Sequence, residues 1–395
     1  MRWVSFRIRN VAAVIAATAA TLVAPLAALA GSLPTNDGRD VLAYLAEPYS
    51  SSAGTAVDPL PADGKNAWIS TIDQFQAQTG ARAQALLHFR TWGQSLANAD
   101  DVKLLAQGYE PMLTLQPTTA MPIASIAAGD GDVWLTAQLK ALQAALAKAS
   151  AARGHTLHGY LRFAHEMNGN WYRWGAPTGS PTAADLAAAQ TTYKTAFRRV
   201  ADLVHRYAPS VDVIWAANRS STPNVAANDL LLWYPGDAWV DWIAVDGYNR
   251  IPTQWRTPTV LFDAFRARWS ATRNDLGGDP LADHVADSRP LMIAETSTID
   301  APAVQGATPQ SDATWLDQLH AYLGANPQFR GLVWFNRPKR CSDFSTNATC
   351  RVVNWNPDDG IAAKTLPWDW DSTEAGAGAF RALADDAALF LPGPA

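Results

Sequence analysis

The chain has 395 residues, 48% of them hydrophobic, and a formal net charge of -5. That length and apolar fraction allow a substantial core, either in two domains or in one large α/β barrel. An acidic chain without basic runs argues against a nucleic-acid partner, and the only two cysteines, Cys341 and Cys350, have no further ligands nearby for a zinc site.

Residues 1–30 read as a secretory leader. Arg2, Arg7 and Arg9 form a basic start, an alanine-rich apolar run extends from Val11 to Leu29, and Ala28-Leu29-Ala30 has the small-x-small pattern of a cleavage site. The alternative is a retained membrane anchor, for which the run is long enough. Pro25 and the Gly31-Ser32-Leu33-Pro34 that follows favour cleavage after Ala30. Residues 31–395 are then expected as one catalytic domain outside the cytoplasm, extracellular or periplasmic, monomeric and free of the membrane. Loss of the three leader arginines takes the charge to -8.

Gly31 to Arg39 is a loose stretch, and Ser50 to Lys65 reads as a polar loop within the domain. Eight short apolar runs are strand candidates: Val41 to Ala46, Ala83 to Phe89, Pro111 to Gln116, Gly159 to His165, Val211 to Ala217, Trp239 to Asp246, Leu291 to Glu295 and Gly331 to Asn336. Continuous apolar runs of this length suit parallel strands buried on both faces. Helical patterns separate them over Asn66 to Gln78, Val133 to Ala152, Ala183 to Tyr207, Val260 to Asn274 and Asp312 to Ala325, with a last one from Gly376 to Leu389. In Ala183 to Tyr207, the residues Leu186, Ala189, Tyr193, Phe197, Val200 and Val204 recur at spacings of three and four, which makes one buried face. Strands and helices in alternation fit an eight-stranded barrel or an open doubly wound sheet. The open sheet usually carries a glycine-rich turn after its first strand. Here that position reads Glu47-Pro48-Tyr49-Ser50, so a single (β/α)₈ barrel is the expected fold.

In such a barrel the C-terminal ends of the strands face the active site. They read His88-Phe89-Arg90-Thr91-Trp92, Arg162-Phe163-Ala164-His165-Glu166-Met167-Asn168-Gly169-Asn170-Trp171, Trp215-Ala216-Ala217-Asn218, Asp246-Gly247-Tyr248-Asn249, Ala294-Glu295-Thr296 and Trp334-Phe335-Asn336-Arg337. Aliphatic runs that end in polar and aromatic groups, at several strands, point to one shared pocket. Two carboxylates from separate strands, Glu166 and Glu295, suit cleavage of a glycosidic bond, one as proton donor and the other as nucleophile or activator of water. Their environments must then hold the two pKa values apart. Arg162 lies four residues before Glu166 and so can share its face of the chain. A cation lowers the pKa of a nearby carboxylate, so Arg162 is read as orienting the sugar or the nucleophile rather than as tuning the acid. The competing structural readings are a satisfied core histidine for His88 and His165, a turn cap for Asp246, and core aromatics for Tyr248 and Trp334. Trp68, Trp134, Trp269 and Trp315 fall on helical patterns and read as packing.

Two further features bear on the surface. The 17 tryptophans are a compositional oddity: about half can simply fill the core, but an indole also offers a flat apolar face with a polar edge, suited to sugar rings. Cys341 and Cys350, nine residues apart, read as a short loop disulfide in an exported protein. The sequon Asn347-Ala348-Thr349 lies between them.

The segments Arg162 to Tyr172, Tyr234-Pro235-Gly236-Asp237 with Val240-Asp241-Trp242-Ile243, Asp246-Gly247-Tyr248-Asn249, Pro290 to Thr296 and Val333-Trp334-Phe335-Asn336 resemble, in order and spacing, glycoside hydrolase family 26, a family of retaining (β/α)₈ enzymes. The resemblance covers nearly the whole mature chain, and His165-Glu166-Met167-Asn168-Gly169 is its most specific part. It implies that Glu166 is the acid/base and Glu295 the nucleophile, and that His165 and Arg162 support them. It further implies that Tyr248 hydrogen-bonds the nucleophile and that Trp334 is the platform under the sugar being cleaved. His88, Trp171 and Asn218 complete the expected substrate-binding set. No cofactor or metal is implied. The implied substrate is a β-linked polysaccharide or oligosaccharide: β-1,4-mannan first, then mixed-linkage β-glucan, with β-1,3-xylan also cut in the family. Arg173 stands where many mannanases of the family have an aromatic, and Phe163 resembles the glucanase-type members, which leaves the sugar open. A non-catalytic polysaccharide-binding protein is the alternative of another class, and an export factor for a bacterial polysaccharide is a third.

Overall fold

We describe the protein from a computed structural model, over residues 41–45, 83–249, 255–272, 284–298, 311–335, 339–340, 365–366 and 374–384. The leader, the loop from Ser50 to Lys65, the helix expected over Asn66 to Gln78 and the cysteine pair lie outside the described residues.

Eight parallel strands form a closed barrel in chain order: β1 (Val41–Leu45), β2 (Ala85–Thr91), β3 (Glu110–Gln116), β4 (Gly159–Phe163), β5 (Val211–Asn218), β6 (Trp242–Asp246), β7 (Leu291–Thr296) and β8 (Phe329–Trp334). Pairing of Val41 with Gly331 and of Tyr44 with Trp334 closes the circle. The single (β/α)₈ barrel expected from the strand pattern is the fold observed. β4, β6 and β7 are buried at every position, because side chains fill the inside of the barrel and helices cover the outside. β6 starts three residues later than expected, since Asp237–Trp239 forms a 3₁₀ turn before it. A short antiparallel pair, β9 (Lys339–Arg340) and β10 (Thr365–Leu366), stands apart from the barrel.

The helices are α1 (Ala99–Ala106), α2 (Ile123–Ala128), α3 (Asp132–Arg153), α4 (Ala183–Tyr207), α5 (Pro258–Trp269), α6 (Asp312–Ala325) and α7 (Glu374–Ala384). α4 starts at a capping box in which Thr182 and Asp185 satisfy each other's backbone N–H groups. Leu186, Tyr193, Phe197, Val200 and Val204 are buried on its barrel side, each stabilising by roughly 1.5–3 kcal/mol. α2 lies in the stretch Thr118 to Asp132, which shows no helical periodicity. It is a single short segment, stopped by Gly129 in the left-handed conformation at φ 98°.

The strands sort their side chains into two layers. Ala85, Leu87, Met112, Tyr160, Ile214, Ala216, Trp242, Ala244, Met292, Ala294 and Val333 fill the barrel. The alternate positions, such as Leu86, Leu113, Leu161, Val213, Ile293 and Leu332, join the helices in the outer core. A Cβ at Gly331 would meet the Met292 side chain at 2.7 Å, so glycine gives that methionine its place in the barrel. The β5–β6 connection is tied to the segment before β7 through Asp237. Its carboxylate accepts from Tyr234 Oη at 2.6 Å, His284 Nδ1 at 2.9 Å, Ser288 Oγ at 2.5 Å and the Val285 N–H at 3.1 Å. Burial acts against the Asp237 charge, but His284, Ser288 and Tyr234 outweigh it and hold the pKa at about 2.

Candidate active site

Beyond β4 the chain makes a turn that a plain strand would not. Ala164 and Glu166 adopt φ of 47° and 53°, a region that costs residues other than glycine on the order of 1 kcal/mol or more each. Two neighbouring strands hold the turn: Ala164 N–H donates to Leu115 C=O at 3.0 Å and Glu166 N–H to Ala216 C=O at 2.8 Å. This backbone delivers Glu166 to the mouth of the barrel, 8% exposed.

Neutral donors hold the Glu166 carboxyl. Asn218 Nδ2, at the end of β5, donates to Oε1 at 2.7 Å, and Trp171 Nε1 donates to Oε2 at 2.7 Å. Burial raises the pKa of Glu166, the charge of Glu295 adds to the rise, and the two hydrogen bonds and Arg162 only partly offset it. The group therefore keeps its proton above the usual carboxylate range.

Glu295 stands in other company. Ala294 points into the barrel with Met292, so plain alternation would turn residue 295 outward. Register shifts between Val245 and Asp246, and between Ile293 and Thr296, break that alternation. A bulge of this kind re-aims a side chain, and Glu295 turns to the pocket. There it accepts from Arg162 Nη2 and from Tyr248 Oη.

Arg162 joins the site together from beneath. It is fully buried, with Nε donating to Thr114 Oγ1 at 2.9 Å and Nη1 to both oxygens of Asp246 at 3.2 Å. Burial works against its charge, but Glu295 and Asp246 outweigh that and raise its pKa. His165 packs against Phe89, Tyr172 and Trp174, with ring centroids at 5.7, 4.9 and 5.9 Å. Burial, reinforced by Arg162, depresses its pKa well below the ordinary value, so the ring is neutral. Trp171 is 46% exposed while its indole N–H holds Glu166, which leaves a face for a ligand. A Cβ at Gly169 would lie 2.2 Å from that indole, so glycine lets the ring lie against the backbone.

The fold thus brings together Glu166, Glu295, Arg162, His165, Trp171, Tyr248 and Asn218. Two expected binding residues stand elsewhere. His88 is odd in parity to the inward Leu87 and Phe89 and so faces the helix layer. Its Nδ1 meets Asp101 of α1 at 2.9 Å, and Arg90 Nη2 reaches the same carboxylate at 3.0 Å. Burial opposes the Asp101 charge, but His88 and Arg90 outweigh it and lower its pKa. His88 is therefore a structural histidine of the helix layer and does not face the pocket. Trp334 is likewise on the outer side of its strand, fully buried between Trp315 of α6 at 6.3 Å and Phe380 of α7 at 5.5 Å. The inward position is the next one: Phe335 meets Tyr248 edge-on at 5.8 Å.

Three site residues escaped the sequence reading. Asp246 looked like a turn cap, yet it is the second carboxylate on Arg162. Thr114 is its even-numbered inward neighbour on β3. Asn168, fully buried, fixes the backbone of Asn218 by donating to its C=O at 2.8 Å and accepting from its N–H at 2.9 Å. Strand parity could have found the first two. Among the described residues no group of His, Cys, Asp and Glu could hold a metal ion, and no helix is long and apolar enough to cross a membrane.

Residues 118–268, which contain Arg162, Glu166, Asp246 and Tyr248, match the model of glycosyl hydrolase family 26. Over this segment the chain is similar to that family. Glu295 lies beyond the matched segment and reaches the site through the barrel. The family 26 resemblance read in the sequence therefore holds. Among curated proteins the chain is similar to endoglucanase H of Acetivibrio thermocellus, 25% identical over 297 residues. It is also similar to a mannan endo-1,4-beta-mannosidase of Bifidobacterium adolescentis, 27% identical over 132 residues. These alignments cover 72% and 33% of this chain but only 29% and 12% of those proteins. Among solved structures, a GH26 beta-mannanase from Bacteroides ovatus aligns over 90% of both chains at 15% identity, with a TM-score of 0.48.

Proposed function

We propose that the protein is a retaining endo-β-glycanase with Glu166 as acid/base and Glu295 as nucleophile. The observation that carries this is the unlike setting of the two buried carboxyls. Glu166 is held by neutral donors and keeps its proton. Glu295 is held by a guanidinium and a phenol, which fix the orientation of its oxygens in the pocket.

In the first step a Glu295 oxygen attacks the anomeric carbon and Glu166 gives its proton to the glycosidic oxygen. The old C–O bond breaks, the leaving sugar departs as an alcohol, and a glycosyl ester remains on Glu295. In the second step Glu166 takes a proton from water, the water oxygen attacks the same carbon, and the ester bond breaks. Mannan is the leading substrate and mixed-linkage β-glucan the second. Of two curated relatives, one is named for mannan and one is an endoglucanase, so both polymers belong in the assay. The composition of residues 1–30 supports work outside the cytoplasm.

The test is reducing-sugar release from mannan, lichenan, β-1,3-xylan and carboxymethylcellulose, with the anomer of the first product followed by proton NMR. Retention supports the double displacement, and inversion overturns it. Glu295→Ala should abolish release with the fold intact, and full activity there would remove Glu295 from the chemistry. Glu166→Ala should slow polysaccharide far more than an aryl glycoside with a good leaving group. Binding of these polymers without any product would make the protein a polysaccharide-binding module instead.

A further inference from the structure

Asn228 lies in the β5–β6 connection, at the end of a 3₁₀ turn, Ala226–Asn228, and ahead of a second one, Leu230–Trp233. It is fully buried. Its Nδ2 donates to Asn168 C=O and to Pro223 C=O, both at 3.0 Å, and its Oδ1 accepts from Trp233 Nε1 at 2.9 Å. Both N–H donors and the carbonyl of the amide are therefore in use. Two of these bonds stay within the connection. The third reaches the turn after β4 that carries Glu166.

The amide is fixed from the helix layer. Gln190 Nε2 of α4 donates to Ala227 C=O at 2.8 Å. Trp233 is fully buried and meets Tyr193 of α4 edge-on at 5.7 Å. The Asp229 carboxylate accepts from the Leu231 N–H at 2.9 Å and from Arg268 Nη1 of α5 at 2.6 Å. Asn228 thus stands on α4 and α5 while its donor reaches toward the mouth of the barrel.

From there the line to the acid is short. Asn168 C=O takes the Asn228 amide together with the Thr222 N–H, the latter at 2.9 Å. The Asn168 side chain donates to Asn218 C=O at 2.8 Å and to Ser221 Oγ at 3.2 Å, and accepts from the Asn218 N–H at 2.9 Å. Asn218 Nδ2 then holds Glu166 Oε1 at 2.7 Å. Asn168 follows Glu166 by two residues on the same turn, so one clamp governs both ends of the Asn218–Glu166 bond. A hydrogen bond weakens steeply as its angle closes, and slack in Asn168 is therefore felt at the carboxyl.

We propose that Asn228 is a positioning residue for the proton donor, acting through Asn168 and Asn218 on Glu166 without contact with substrate. Only the task assigned to that donor rests on the β-glycanase reading; the hold on the carboxyl does not.

Asn228→Ala removes the amide and changes no charge. The charges of Glu295 and Arg162 that act on Glu166 stay in place, so an effect on the acid travels through geometry. The first readout needs no substrate. It is the titration midpoint of the Glu166 carboxyl by carbon NMR of glutamate-labelled protein, with the resonance assigned by its loss in Glu166→Gln. The Asn218 bond favours ionised Glu166, so loosening it should raise the midpoint by about half a pH unit. In the double variant Asn218→Ala/Asn228→Ala the midpoint should rise no further than in Asn218→Ala alone, because residues that act in one line are not additive. An unmoved midpoint in folded protein makes Asn228 a structural staple and overturns the proposal, as does a rise that adds in full to that of Asn218→Ala. The second readout is kcat/KM. It should fall about threefold to tenfold on polysaccharide. On an aryl glycoside whose leaving group departs without an acid it should stay within about twofold. Equal falls on both substrates overturn the proposal. If the wild-type protein hydrolyses neither, the β-glycanase reading fails and the NMR midpoint alone decides the role of Asn228. Should Asn228→Ala not fold, Trp233→Phe carries the same readouts, since it takes the indole donor from Asn228 Oδ1 and keeps a ring against Tyr193.

Discussion

Asn218→Ala probes the raised pKa of Glu166, on which the proposed reaction depends. Asn218 donates to Glu166 Oε1 at 2.7 Å, and this bond lowers the acid's pKa against the rise from burial and from Glu295. A hydrogen bond to a charged acceptor contributes about 1.5–3 kcal/mol and one to a neutral acceptor about 0.5–1.5. The bond therefore favours ionised over protonated Glu166 by on the order of 1 kcal/mol, a little under one pKa unit. The substitution spares the scaffold, because Asn168 grips residue 218 by its backbone N–H and C=O. The assay is kcat/KM against pH on the best polysaccharide, which reports the free enzyme. With the bond gone Glu166 holds its proton to higher pH, so the alkaline limb should move up by about half to one unit. An unmoved limb, or one shifted downward, refutes Glu166 as the group that must stay protonated.

Trp334→Ala should cost about 3–5 kcal/mol of stability, the usual penalty for emptying a buried aromatic site, with KM for oligosaccharides unchanged; a raised KM at unchanged stability would return Trp334 to the pocket. His88→Ala should lower the denaturation midpoint by removing one of the partners of the buried Asp101 carboxylate, on the order of 1 kcal/mol, and leave substrate affinity intact, as binding and melting curves would report. Asp237 has a folded pKa of about 2, below the unfolded value, so its stabilising effect is complete above about pH 4 and is lost as pH falls toward 2. Asp237→Asn should therefore reduce stability at neutral pH and flatten the acid limb of the melting profile between about pH 4 and 2; an unchanged acid limb would remove Asp237 as its source.

Much of the barrel is legible in the sequence because parallel strands buried on both faces must be apolar throughout. α4 has its expected limits, Ala183–Tyr207, since its capping box and its apolar stripe mark the same segment. The misplaced residues share one cause. A position near a strand end identifies the rim of the barrel but not the side, and His88 and Trp334 sit one residue out of phase with their inward neighbours. Counting parity from Leu87 and Val333 separates them. Parity fails in turn at Glu295, where the bulge in β7 reverses it, and nothing in Leu291 to Thr296 announces that bulge. α1 carried a readable signal in Asn98 and Asp101, whose side chains cap each other's backbone. Asn168 could not be read as a positioner of Asn218, because the contact spans fifty residues and exists only once β4 and β5 are paired.

The charge of Glu295 is among the causes that hold the proton on Glu166. Once Glu295 becomes an ester in the proposed reaction, that charge is gone, while Arg162 and the two hydrogen bonds that pull the other way remain. The pKa of Glu166 must then drop, at the moment when its next task is to accept a proton from water. The first step thus retunes its own catalyst for the second, and restoring the Glu295 carboxylate at the end of the cycle resets it. No movement of the chain is required for this alternation, because the switch is the bond to the sugar itself.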